Sequence, residues 1–251
     1  MNRVERTRKN VETLFHIPPA GQDGTDPEFM QILQRYLFGE VSETGSLDLP
    51  TRELITITVL TTLGTLPQLE GHVQAALNVG CSPIEIREAI YQTAPFLGFP
   101  RTLNAISSMN QVFRLEGIEL PLPNQSTVTE ESRYETGAKL QQELYGTTIA
   151  DRYTYLPGEF SQAVPKFLTE LAFGDFASRN GLTRKMREML TLVLLASMGD
   201  TELQLKSHFA GALKAGNTKE ELVAALVHAS AYMGIPRLFN TLNACKDIIS
   251  E

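Results

Sequence analysis

Leu97-Gly98-Phe99-Pro100-Arg101-Thr102-Leu103-Asn104 returns 136 residues later as Met233-Gly234-Ile235-Pro236-Arg237-Leu238-Phe239-Asn240. Working outward, Gly80-Cys81-Ser82-Pro83-Ile84-Glu85 and Gly216-Asn217-Thr218-Lys219-Glu220-Glu221 keep the same separation, and so do His72 and His208. Further upstream the separation is 135, pairing Phe38-Gly39 with Phe173-Gly174, Arg52-Glu53 with Arg187-Glu188 and Gly64 with Gly199. One extra residue therefore sits between Gly199 and His208. The repeat reaches the start of each half, where Asn10-Val11-Glu12-Thr13-Leu14-Phe15 resembles Leu140-Gln141-Gln142-Glu143-Leu144-Tyr145. Two copies at so long a period mean two homologous domains rather than a solenoid. We place the first at residues 1–120 and the second at 131–251. A proline-rich, polar linker at 121–130 joins them.

Each half reads as helical. Leu54–Leu63 and Met189–Met198 are nearly continuous apolar segments bounded by glycine. Such runs are buried strands or buried helices. The Leu, Met and Ala of the second copy favour helix, and the duplication carries the Thr-, Ile- and Val-rich first copy with it. Gln68–Val79 puts Leu69, Val73, Ala76 and Leu77 on one face and stops at Gly80. Ser82-Pro83-x-Glu85 and Thr218-x-x-Glu221 are capping boxes opening helices over Ile84–Ala94 and Lys219–Tyr232. A last helix follows Arg101 and Arg237. No alternating strand pattern is present, so the expectation is all-α, with five or six helices per half.

Composition bounds the function. Hydrophobic residues at 42% and charged residues at 20% indicate a globular chain. A net charge of -7 with no Lys/Arg-dense stretch argues against nucleic acid or an anionic membrane as partner. No apolar run approaches the ~20 residues of a membrane span, and the charged start lacks a signal core, so a cytoplasmic location is expected. Cys81 and Cys245 lie far apart, which excludes a disulfide scaffold and any Cys-x-x-Cys site. Cys81 opens a helix, where the dipole would lower a thiol pKa, although a small capping residue is the plainer role. The four histidines, with His16 in a loop before Pro18-Pro19, form no metal-ligand cluster, so no metal is expected. Phosphate-binding glycine motifs are absent.

Four polar positions recur in both halves amid apolar surroundings: Arg52-Glu53 with Arg187-Glu188, Gln68 with Gln204, His72 with His208, and Arg101 with Arg237. Gln68 and His72 are four apart and share a helix face, as do Gln204 and His208. Gly64-Thr65-Leu66-Pro67 offers a turn that would bring Glu53 onto His72. A carboxylate that orients an imidazole is a general acid/base design. Plainer roles stand beside these. Thr65-x-x-Gln68 and Thr201-x-x-Gln204 also read as capping boxes. Arg52-Glu53 at a helix start also reads as solvated charge. The arginines of the Gly-x-Pro-Arg turns also serve as candidates for closing an interface between the halves.

In this order the motifs resemble the carboxymuconolactone decarboxylase family, which shares its fold with alkyl hydroperoxidase D. They run from Arg-Glu through Gln-Leu-x-x-His, Ala-Leu-x-x-Gly and a capped acidic helix to Gly-x-Pro-Arg. The resemblance covers both halves. It implies two tandem alkyl hydroperoxidase D-like helical domains. It also implies a homo-oligomer, a trimer in which the repeats form a pseudo-hexamer. In the peroxidase branch two redox cysteines would fall on Thr65 and Gln68, and on Thr201 and Gln204. No thiol stands there, so a peroxiredoxin-type antioxidant role is disfavoured. The decarboxylase branch implies a lyase needing no cofactor and acting on a small acid or lactone. His72 or His208 would be its general acid, oriented by Glu53 or Glu188. Gln68 or Gln204 would face the oxyanion, and Arg101 or Arg237 would hold a carboxylate. The halves differ at Gln92/His228, Ala94/Ser230 and Pro95/Ala231. The extra His228, with Tyr232, adds two substrate-binding candidates and favours the second half as the working one. A non-enzymatic helical oligomer binding a metabolite or protein is the remaining alternative.

Overall fold

The computed structural model describes residues 1–146, 149 and 151–250. The first half runs α1 (Arg3–Phe15), α2 (Pro27–Gly39), α3 (Leu49–Leu63), α4 (Leu66–Asn78), α5 (Pro83–Tyr91), α6 (Ala94–Leu97) and α7 (Phe99–Leu115). The second runs α8 (Arg133–Tyr145), α9 (Phe160–Phe167), α10 (Arg184–Met198), α11 (Glu202–Lys214), α12 (Lys219–Met233), α13 (Ile235–Ala244) and α14 (Lys246–Ser250). No strand occurs among the described residues. The helical expectation holds, with more pieces per half than expected, because Gly98 and Cys245 interrupt the last helices. Where α2 is one regular helix, its counterpart is α9 followed by a wide π-type coil over Leu168–Ala177.

The α3 and α10 helices sit at the centre and pack on each other. Residues 52–62 of α3 and 187–197 of α10 are all buried. A helix apolar on every side has no solvent face to offer, so it ends in the middle. One apolar core therefore runs through both halves, from Leu54 and Phe113 to Leu190 and Phe209. Three buried threonines of α3 lose their polarity to their own helix. Thr56, Thr58 and Thr62 donate to the carbonyls of Arg52, Leu54 and Thr58 at 3.0, 2.9 and 2.8 Å.

Turn chemistry sets the hairpins. Asp48 and Thr183 cap α3 and α10 by accepting from the amides of Thr51 and Met186. Gly64 ends α3 in the left-handed conformation, which glycine adopts without strain. In the second half the left-handed residue after Gly199 is Asp200, which is the extra residue of that copy. The capping boxes at Ser82/Glu85 and Thr218/Glu221 are present. Those at Thr65/Gln68 and Thr201/Gln204 are not: each threonine hydroxyl donates back to the preceding helix, at Leu60 (3.4 Å) and Leu195 (2.8 Å).

The two halves are tied by a buried charge cluster. Glu88 on α5 receives Arg179 at 2.9 and 3.0 Å and Arg187 at 3.1 Å. Burial alone would push its carboxyl up, but the two guanidinium groups outweigh this and hold it below the usual carboxylate range. Neighbouring Arg87 donates to the carbonyls of Leu122 and Pro123 and straps the linker down. At the pseudo-equivalent place Ala224 stands in for Glu88. A Cβ on Gly45 would come within 2.6 Å of the Ala224 side chain, so small residues are required on both sides there.

Candidate active site

The α3–α4 hairpin brings Glu53 onto His72, as the turn at Gly64 implies. Glu53 Oε2 lies 2.7 Å from His72 Nδ1. A carboxylate only accepts, so Nδ1 carries a proton, and Nε2 is the ring nitrogen without a hydrogen-bond partner among the described residues. Glu53 is 1% exposed and His72 8%, so neither is a solvated surface charge. Arg52 is equally buried. It donates to the carbonyls of Leu47 and Thr44, at 3.0 and 2.8 Å.

The α10–α11 hairpin repeats this geometry with a change. His208 Nδ1 stands 3.4 Å from Glu188, and the hydroxyl of Tyr145 lies between them. Tyr145 donates to Glu188 in a short bond and accepts from His208 Nδ1 at 2.7 Å. Burial beside Glu188 pushes this phenol far above its usual range, so it stays a hydroxyl. His208 again presents Nε2 as its unbonded nitrogen among the described residues.

Each imidazole is clasped by two aromatic rings, one from each half, all edge-on except the tilted Tyr145. His72 meets Phe15 of its own half at 5.6 Å and Tyr232 of the other half at 5.4 Å. His208 meets Tyr145 at 5.0 Å and Phe96 of the first half at 6.0 Å. Both centres are therefore built across the duplication. This corrects one expectation: His228 and Tyr232 do not furnish the second half's histidine. They flank the first half's.

His228 is also not open to a ligand. Arg52 Nη1 donates to its Nδ1 at 3.4 Å, which leaves the proton on Nε2, bonded to Thr56 at 2.9 Å. Burial, then the charge of Arg52 and the nearness of His72, push this imidazole down to about 3. Both nitrogens are spent on structure. The Tyr232 hydroxyl is buried and unbonded, and burial near Glu53 pushes it well above the usual phenol range.

A cavity of about 690 Å³ opens at the second centre, lined by Tyr145, His208, Gln204, Phe96, Arg152 and Lys214, among others. Gln204 is thus placed at the site, on the exposed first turn of α11. Gln68, its counterpart, is exposed on α4. The two arginines of the Gly-x-Pro-Arg turns are elsewhere. Arg101 donates to the Thr62 carbonyl at 2.7 Å, and Arg237 to Met233 at 3.3 Å. Thr62 is nine residues beyond Glu53 on α3, roughly 14 Å along the axis. Neither arginine lines the cavity at His208. The cations that do are Arg152 and Lys214, and nothing in the repeat pattern marks them. Tyr145 was also missed, although the alignment of Phe15 with Tyr145 held the clue of one added hydroxyl.

Both thiols are buried and held in the protonated form. Burial, then nearby Glu85 and Glu53, push Cys81 up to about 12, the opposite of the helix-start expectation, because Ser82 rather than Cys81 is the cap. Burial takes Cys245 to about 11. No group of His, Cys, Asp and Glu among the described residues is arranged to hold a metal ion. None of the helices there is long and apolar enough to cross a membrane.

Fold and site define a tandem all-α protein with two carboxylate–imidazole centres, one buried and one opening on a cavity, shared between its halves. The chain belongs to the carboxymuconolactone decarboxylase family, which matches residues 27–111 and 162–247. It is 27% identical over 124 residues to the 4-carboxymuconolactone decarboxylase of Acinetobacter baylyi, covering 49% of this chain and 92% of that one. It is 28% identical over 118 residues to the nitrosuccinic acid decarboxylase of Metarhizium robertsii, covering 47% and 82%. Each relative thus spans about one half of this chain. A solved structure from Burkholderia xenovorans, assigned as a gamma-carboxymuconolactone decarboxylase subunit, shares the fold over both chains. The TM-score is 0.54, the identity 20%, and the coverage 97% of this chain and 96% of that one.

Proposed function

We propose that the chain is a carbon–carbon lyase that decarboxylates a small carboxylated lactone or related acid by general acid/base chemistry, with no cofactor. One observation carries this reading. His208, on the wall of a 690 Å³ cavity, has Nδ1 held through Tyr145 to Glu188 and Nε2 unbonded among the described residues. In the reaction the bond to the departing carboxylate breaks and its electron pair enters the conjugated carbonyl. The dienolate is then protonated on carbon by Nε2–H of the imidazolium, whose proton is drawn from solvent through the cavity and is replaced from solvent at each turnover. Glu188, acting through Tyr145, stabilises the imidazolium. Gln204 offers its amide to the developing oxyanion, and Arg152 and Lys214 at the rim offer charge to a substrate carboxylate. The names of the decarboxylase relatives support the reaction class. In the same reading the chain works as a trimer.

The test is turnover of carboxymuconolactone and of nitrosuccinate, followed by NMR with carbon dioxide release in parallel. Loss of turnover in His208→Ala, with retention in His72→Ala, is the expected outcome. Absence of turnover of both compounds at high enzyme concentration would refute the reading for these substrates and leave a binding role.

A further inference from the structure

The two centres differ by a coupled pair of substitutions. In the first half Phe15 stands beside Ala75, and Glu53 touches His72 directly at 2.7 Å. In the second half the corresponding residues are Tyr145 and Gly211, and Glu188 is 3.4 Å from His208. A Cβ on Gly211 would lie 2.7 Å from Tyr145 Cε1 and 2.8 Å from its hydroxyl oxygen. The position that is alanine opposite the phenylalanine is therefore vacated opposite the tyrosine. An added hydroxyl and a deleted methyl meet at one point, which is a built accommodation.

From this we infer that Tyr145 is the positioning residue of the His208 centre, relaying Glu188 to the imidazole, with Gly211 as the residue that admits it. The bonding order follows from donor chemistry. Glu188 as a carboxylate accepts only, so the phenol proton goes to it and the phenol oxygen takes the Nδ1 proton of His208. Tyr145 also packs edge-on against Phe173 at 5.8 Å. One chain thus presents Nε2 by two wirings, a direct carboxylate and a phenol-mediated one. The significance for turnover rests on the decarboxylase reading, but the wiring itself does not.

The experiment uses the full chain labelled with ¹⁵N at histidine and reads the downfield Nδ1–H resonances, assigned with His72→Ala and His208→Ala. Tyr145→Phe is expected to shift the His208 resonance and leave that of His72 in place, with helix content unchanged by circular dichroism. Gly211→Ala, which keeps the hydroxyl but takes its space, is expected to shift the same resonance. Tyr145→Phe with Gly211→Ala, the first half's pairing, is expected to bring His208 to the position of His72. In the His72→Ala background Tyr145→Phe is expected to lower kcat roughly tenfold with KM nearly constant. A His208 resonance indifferent to Tyr145→Phe overturns the proposal, whatever the outcome of the turnover assay. If turnover is absent in the parent, the decarboxylase reading fails while the resonances still decide the relay.

Discussion

Duplication pairs a histidine on α12 with the glutamine that caps the C-terminus of α5, and the two residues show how one position is used twice. Gln92 Oε1 accepts from Arg187 at 3.4 Å, and His228 Nδ1 accepts from Arg52 at 3.4 Å. The histidine adds a titration. Unfolded, it takes a proton near 6.5; folded, burial and the Arg52 charge delay this to about 3. Between those values the unfolded chain holds the extra proton, so stability falls as pH falls, by up to ~1.4 kcal/mol per pH unit. His228→Gln, which installs the other half's residue, is expected to flatten this dependence. Urea unfolding of parent and variant across that window checks it, and parallel slopes would contradict the account. The relative order of the histidines was legible at this scale, because the repeat register singles out His72 and His208. The role of His228 was not, because both of its partners, Arg52 and Thr56, lie on a helix of the other half.

Helix α10 could be read from its leucines, since a Leu-, Met- and Ala-rich run has high helix propensity and no polar face. Helix α3 could not be read alone: its threonines, valine and isoleucines suit a strand equally well. What makes it helical is burial on all sides between packed helices, and the helix accommodates the hydroxyls of Thr56, Thr58 and Thr62 by bonding each to the carbonyl four residues back. The central pair should therefore be the most sensitive element. Leu190→Ala, at a site with 0% exposure, is expected to cost about 2–5 kcal/mol in urea unfolding. Leu115→Ala on α7, at 79% exposure, is expected to change stability by less than about 0.5 kcal/mol. Equal effects at the two sites would mean that the core is not where α3 and α10 meet. Capping illustrates the limit of pattern matching at this scale. Four Ser/Thr-x-x-Glu/Gln patterns were visible, and only the two with glutamate form boxes. The Thr65 and Thr201 hydroxyls instead close the hairpins that bring glutamate to histidine.

For the whole molecule the surface carries the repeat as well. Phe99 and Leu103 on α7 are 52% and 61% exposed, and their counterparts Ile235 and Phe239 on α13 are 49% and 58% exposed. Single exposed apolar residues need no explanation, but matched pairs one helical turn apart in both halves are the surface to which the proposed trimer assigns its contacts. The proposed trimer predicts a mass three times the 27.8 kDa chain by light scattering after size exclusion. The double variant Leu103→Glu with Phe239→Glu is expected to release single chains. A parent that elutes as a monomer would sink the trimer. The Glu88–Arg179–Arg187 cluster has a different place: it lies inside one chain and locks its halves together.

Residue order sufficed for the duplication, the all-helical class, the family likeness and the two Glu–His pairs. Each of these rests on local spacing or on a hairpin turn, and local spacing survives in one dimension. Packing decided the rest. It exchanged aromatic rings between the halves, so that Tyr232 serves His72 and Phe96 serves His208. It set Arg101 and Arg237 on helix carbonyls instead of at the cavity, and it slid a phenol between Glu188 and His208. The ring exchange depends on which surfaces the two halves bury against each other, and contacts more than a hundred positions apart leave no periodic mark in a sequence; the arginine and phenol placements are contacts within each half, fixed by how its own helices pack.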